Sequence, residues 1–151
     1  MSEDKVFSVD TPEESSGFLL WQVTAMWQRE IRKALDPLDL THTQFVLLAS
    51  IMWLSQFEEP ITQVKLAQHT QIDVMTTSSV VRTLLQKGLI DRTESAVDSR
   101  AKSLSINELG RVKAIEAIKA VEGADGTFFS ILGTDVRELN NRLSRLLSRD
   151  N

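Results

Sequence analysis

The chain has 151 residues, of which 42% are hydrophobic and 25% are charged, and its formal net charge is −4. These values are typical of one globular domain and exclude a chain that lacks a fold. It has no cysteine, which excludes disulfides, thiolate catalysis and cysteine-based zinc sites, and its apolar segment Phe45 to Leu54 is far shorter than the ~20 residues that cross a bilayer.

The first 16 residues are acidic and polar, whereas a signal peptide would be basic and then apolar. We interpret them as a flexible N-terminal arm preceding a single domain at 17–151. A cytoplasmic location and no membrane partner are expected.

Apolar spacing predicts a series of helices. Leu20, Val23, Trp27, Ile31 and Leu35 recur at three- and four-residue steps, so they form one stripe of a first helix that Pro37 stops. Side chains suited to N-caps mark the starts of the next three helices, the last of which ends near a left-handed glycine. These positions are Thr41 (with Gln44 in a capping box), Thr62, Asp73 and Gly88.

After this fourth helix the apolar period changes from 3.6 to 2. The segments "LIDRTE" (89–94) and "AKSLSI" (101–106) therefore predict two strands, joined through "SAVDSR" (95–100). Asn107 is expected to cap a long helix whose inner face carries Val112, Ile115, Ile118 and Val121.

Thr134 is expected to cap a last helix with apolar spacing close to that of a coiled-coil seam. This stripe and that of the first helix favour subunit pairing, although both could instead close a monomeric core. The predicted interface residues are Leu20, Val136, Leu139, Leu143 and Leu146.

The order helix, short turn, helix, hairpin predicts a mainly α fold with a small β-hairpin, a winged helix-turn-helix. It covers about 41–106 and is flanked by candidate dimerisation helices at about 17–36 and 107–148. Seven basic and four acidic residues give 76–113 a charge of +3, which leaves −7 elsewhere. This asymmetry favours a DNA-binding face, although it could also be ordinary surface variation. The predicted DNA-contacting residues are Thr76, Thr77, Ser78, Ser79, Arg82, Arg92, Arg100 and Lys102.

The sequence resembles the MarR family of bacterial transcriptional regulators from about Gly17 to Leu147. The resemblance rests on "LTHTQFVLLASI", on "LAQHTQID" leading into "TTSSVVRTLLQKGLIDR", and above all on "DSRAKSLSINELG", which is similar to the family's wing pattern. Asn107 stands where that pattern usually has Thr, and both residues cap helices. The resemblance implies a homodimer on a pseudo-palindromic DNA site, with Asp98 bracing the wing and Arg100 contacting DNA.

Catalysis has no support in the sequence. It contains no Gly-rich phosphate loop, and the Ser/Thr cluster at 76–79 lacks a base to activate it, so we predict a regulator without cofactors rather than an enzyme. His42 and His69 have no partners at metal-ligand spacing, so no metal site is predicted. The tryptophans are interpreted mainly as core residues, or else Trp27 and Trp53 line, with His42, a pocket for a small aromatic effector. A winged helix that binds another protein instead of DNA is the alternative function.

Overall fold

Six α-helices and one antiparallel hairpin form the described part of the chain. The computed structural model describes residues 4–94 and 102–150. The elements in chain order are α1 (Ser16–Leu35), α2 (His42–Leu54), α3 (Gln63–Thr70), α4 (Val74–Gln86), β1 (Ile90–Glu94), β2 (Lys102–Ile106), α5 (Glu108–Phe129) and α6 (Val136–Leu147). This is the predicted mainly helical fold with a two-stranded wing.

Four helices begin at the capping side chains that the sequence predicts. The Thr41 hydroxyl accepts the N–H of Gln44 at 3.1 Å, and the Gln44 side chain accepts the N–H of Thr41 at 3.3 Å, which is a reciprocal capping box. Thr62, Asp73 and Asn107 each accept the N–H three residues further on. Each bond satisfies a donor that has no partner inside its own helix, so these predictions are confirmed.

The core surrounds α2, whose Leu47, Leu48 and Ile51 are fully buried. The C-terminal half of α1 and the inner faces of α4 and α5 pack against it. On α5 the buried residues are small, since Gly110, Ala114 and Ala117 lie inside with Val121. The predicted inner face of this helix is therefore wrong in part, because Val112 and Ile115 are exposed.

The hairpin is attached to the helices through a third backbone segment. Strand β1 pairs with β2 from Ile90 opposite Ile106 to Glu94 opposite Lys102. The N–H of Leu104 donates to the carbonyl of Ile61 at 2.7 Å, so the residue before the N-cap of α3 forms a bridge to β2. Residues 95–101, with the predicted site residues Asp98 and Arg100, lie outside the described residues.

The last helix starts later than predicted. Thr134 does not cap it, because a 3-10 segment at Ser130–Asp135 precedes α6 and contains Gly133 at φ 54°, where a side chain would be strained. Helix α6 packs mainly on this segment, and each of its residues is at least partly exposed. Among the described residues, no helix is long and apolar enough to cross a membrane.

Candidate nucleic-acid interface

Helix α4 is the second helix of the predicted helix-turn-helix, and Asp73 fixes its start. The Asp73 carboxylate accepts the backbone N–H of Thr76 at 2.8 Å and the hydroxyl of the same residue at 2.7 Å. These hydrogen bonds, the backbone one first, hold the pKa of Asp73 below its ordinary value. The ionised carboxylate is therefore the form that caps α4.

One face of α4 is exposed along its length. Met75, Ser79, Arg82 and Gln86 follow one another at steps of three and four residues, and each of them is exposed. Ser78 is half-buried beside this row. Two of the predicted DNA-contacting residues, Ser79 and Arg82, thus lie together on an open surface.

Thr77, which is also among the predicted DNA-contacting residues, does not belong to that surface. Its side chain is fully buried, and its hydroxyl donates to the carbonyl of Asp73 at 2.8 Å. This hydrogen bond removes the cost of burying a hydroxyl, which is why a threonine fits the inner face of the helix.

The wing presents two of the predicted cations. Arg92 on β1 and Lys102 on β2 are both exposed. Lys102 lies directly opposite Glu94 in the strand pairing, so its charge has an acidic neighbour across the hairpin. Arg92 is paired with Leu104, and the Leu104 side chain is buried in the core, so this part of the hairpin packs against the helices.

Asn107 joins the base of the wing to α4 and α5. Its side-chain nitrogen donates to the carbonyl of Gly88 at 2.7 Å, and its side-chain oxygen accepts the N–H of Gly110 at 2.9 Å. Gly88 has φ 72°, which confirms the left-handed residue predicted after α4. The sequence predicted the capping role of Asn107. It did not predict the bond from Asn107 to Gly88, since these residues are 19 positions apart.

Lys87 connects the end of α4 to the turn between α1 and α2. Its ammonium donates to the carbonyl of Asp39 at 2.5 Å and to the Gln44 side chain at 2.9 Å, and the Asp39 carboxylate is 3.6 Å away. No local pattern predicts these contacts, which cross more than 40 residues. Lys87 is thus a structural cation, although it belongs to the positively charged segment.

Two of the three predicted pocket residues meet where α1, α2 and α5 converge. The rings of Trp27 and His42 lie edge to face with centroids 5.0 Å apart, and the Trp27 indole N–H donates to Asp125 at 2.7 Å. Burial lowers the pKa of His42, Asp125 acts in the opposite direction, and Arg32 lowers this pKa further. The imidazole is therefore held in its neutral form.

Trp53 does not join this cluster. It lies near the other end of α2, where it is exposed and packs edge to face against Phe57 at 6.4 Å between ring centroids. The predicted three-residue pocket is therefore wrong in its third member.

Apolar side chains cover the outer faces of α1 and α6. The predicted stripe of α1 is buried only at its C-terminal end, at Ile31 and Leu35, and exposed at Leu20 and Val23. Val136 and Leu139 are half-buried. The other large apolar residues exposed on these two helices are Phe18, Leu19, Trp21, Met26, Leu143, Leu146 and Leu147.

The chain is similar to a protein family and to known transcriptional regulators. The family profile described as "ArnR1-like, winged-helix domain" matches residues 36–122. The HTH-type transcriptional regulator YdcH of Bacillus subtilis is 47% identical over 119 residues, which cover 79% of this chain and 81% of YdcH.

Two solved structures share the fold over nearly the whole chain. CouR from Rhodococcus jostii RHA1, crystallised bound to p-coumaroyl-CoA, is 26% identical with a TM-score of 0.79, covering 93% of this chain and 97% of CouR. A MarR-family transcriptional regulator from Rhodococcus sp. RHA1 is also 26% identical with a TM-score of 0.79, covering 91% of this chain and 96% of that one. The chain therefore belongs to the MarR family: it is a transcriptional regulator of MarR type with a winged-helix DNA-binding domain.

Proposed function

We propose that the protein is a homodimeric repressor that binds a pseudo-palindromic operator. The observation that carries the proposal is the exposed row of α4 with Ser79 and Arg82, next to a hairpin with exposed Arg92 and Lys102. An α-helix fits the major groove, and cations on a neighbouring hairpin can bind phosphates or the adjacent minor groove. In this arrangement Ser79 approaches base edges, while Arg82, Arg92 and Lys102 bind the backbone. Arg100 lies outside the described residues, and its proposed contact with DNA rests on the resemblance to the family's wing pattern.

Dimerisation is supported by the apolar side chains that one chain leaves exposed. Trp21 on α1 is 74% exposed and Leu147 on α6 is 73% exposed, on helices at the two ends of the domain. Several large apolar side chains exposed on one helix favour an interface, and a second copy related by a two-fold axis would cover both helices. Such a dimer presents two α4 helices to half-sites about 34–36 Å apart, the length of one DNA turn.

Repression requires only that the dimer occupies its site, whereas activation requires a further productive contact with the transcription machinery. This difference is why we propose a repressor.

We propose that a small aromatic ligand releases the dimer from DNA. The Trp27–His42 contact supports this step, as does the p-coumaroyl-CoA bound to the similar CouR. The ligand must bind one spacing of the two recognition helices better than the other, and that difference sets its maximum effect.

Selecting bound sequences from a random duplex pool tests the proposal. We expect a two-fold symmetric site whose affinity falls steeply between low and physiological salt, because bound phosphates release counterions. Arg82→Ala should weaken binding to all duplexes to a similar degree and reduce the salt slope by about 1 per half-site, as expected for a phosphate contact. Arg29→Ala, the same change of charge on an exposed position of α1, is the control and should leave both unchanged. A folded protein that binds no duplex at low salt would instead support the protein-interaction function.

Ligand release is tested separately by titrating tryptophan fluorescence with aromatic acids while measuring affinity for the selected site. The proposed ligand changes both signals at the same concentrations. If no compound changes either signal, the ligand step is removed and the DNA-binding proposal stands.

A further inference from the structure

The first turn of α4 has few side chains left that can reach a DNA base. The Thr76 hydroxyl donates to the Asp73 carboxylate at 2.7 Å, and the Thr77 hydroxyl is buried against the Asp73 carbonyl at 2.8 Å. Both hydroxyls thus donate their protons to Asp73 within the first turn of the helix. Met75, between this cap and the rest of the exposed row, is 83% exposed.

Met75 shares the face of α4 that carries the proposed contacts to DNA. It precedes Ser79 by four residues and Arg82 by seven, so the three side chains form one row along the helix. Val74 is also exposed, but it lies about 100° away around the helix axis. The N-terminal residues of a recognition helix are those that meet base edges, which puts Met75 deeper in the groove than Arg82.

We propose that Met75 is a specificity-determining residue that recognises the C5-methyl group of a thymine in each half-site. The inference rests on the proposed docking of α4 in the major groove. Thymine is the base that presents a methyl group there, and a thioether side chain has no strong donor or acceptor with which to read the other base edges. An unbranched, polarisable side chain also adapts its shape to such a contact.

The size of the effect follows from burying one methyl group. Burying one methyl carbon contributes ~0.8 kcal/mol to the free energy of binding, which corresponds to roughly a fourfold change in affinity for each half-site. A dimer makes the contact twice, so removing both methyl groups should weaken binding roughly fifteenfold.

The test replaces thymine by deoxyuridine, one symmetric pair of positions at a time, in the site selected by the unmodified protein. This substitution removes the methyl group and keeps every hydrogen-bonding group of the base pair. We expect one pair of positions at which the unmodified protein loses roughly fifteenfold in affinity. Met75→Ala should bind the thymine and deoxyuridine forms equally at that pair. Val74→Ala, a truncation in the same turn, should keep the roughly fifteenfold preference for thymine.

The outcomes separate this inference from the proposed function. A symmetric site in which every deoxyuridine substitution changes affinity less than twofold overturns the role of Met75 and leaves the repressor proposal standing. A deoxyuridine effect that persists in Met75→Ala assigns the methyl contact to another residue and also overturns it. If no duplex is selected at all, the repressor proposal and this inference fail together.

Discussion

Gly110 occupies a position at the base of the wing that admits no side chain, and its replacement by alanine should destabilise the protein. A Cβ atom added there would lie 1.9 Å from the carbonyl oxygen of Leu89 and 3.0 Å from Cγ1 of Ile106. Real Cβ contacts essentially never fall below 3.0 Å, and the nearer atom is backbone. The start of α5 must therefore move away from the segment that joins α4 to β1.

Two opposing effects set the magnitude. Overpacking costs typically ~1–3 kcal/mol, and a backbone obstacle favours the upper part of that range. Alanine regains ~1 kcal/mol because it forms helix better than glycine. We expect Gly110→Ala to lower the free energy of unfolding by about 2 kcal/mol, and the melting temperature by roughly 4–8 °C for a chain of this size.

Gly123→Ala is the matched control in the same helix. No atom lies within 4 Å of a Cβ added at Gly123, so only the gain in helix propensity remains and stability should rise by about 0.5–1 kcal/mol. Urea and thermal unfolding at one protein concentration measure both variants, since a dimer's stability depends on concentration. If Gly110→Ala were as stable as Gly123→Ala, the close packing of α5 on Leu89 would be refuted.

Three further changes test other parts of the molecule. Lys87→Met should lower stability by about 1–2 kcal/mol and weaken DNA binding without reducing the salt slope, because its ammonium binds Asp39 and Gln44 rather than phosphate; a reduced slope would identify it as a phosphate contact. Because burial lowers the pKa of His42 below 6.5, the native state takes up protons less readily than the unfolded chain. The stability from neutral His42 is therefore present above pH 6.5 and is lost as the pH falls through the lowered pKa; urea unfolding should show that His42→Gln flattens this dependence. Leu143→Glu should dissociate or unfold the proposed dimer, measured by sedimentation; a folded monomer of the unmodified protein at micromolar concentration would contradict the interface.

The sequence predicted features that neighbouring residues determine. The caps at Thr41, Thr62, Asp73 and Asn107 depend on bonds to residues three positions away, so the pattern contains both partners. The hairpin could be predicted for the same reason, because the alternation of apolar and polar residues is a local pattern.

Features that depend on distant partners were not predicted. The bridge from Ile61 to Leu104 joins residues 43 positions apart, and nothing near Ile61 distinguishes it from a residue in a plain turn. The burial of Thr77 depends on which face of α4 meets α2 and α3. In contrast, the separation of Trp53 from His42 could have been calculated, since 11 residues of helix span about 16 Å.

The start of α2 links the proposed ligand site to the recognition helix. His42 is the first residue of α2 and contacts Trp27. Two residues later, the side-chain oxygen of Gln44 accepts a hydrogen bond from the ammonium of Lys87, which follows α4. A ligand that displaced His42 would therefore act on the same helical turn that holds Lys87. The Asn107 bond to Gly88 then ties that end of α4 to the wing and to α5. These contacts join elements that must keep one orientation if the proposed dimer is to occupy both half-sites. A ligand that prefers another orientation of α2 would therefore weaken DNA binding.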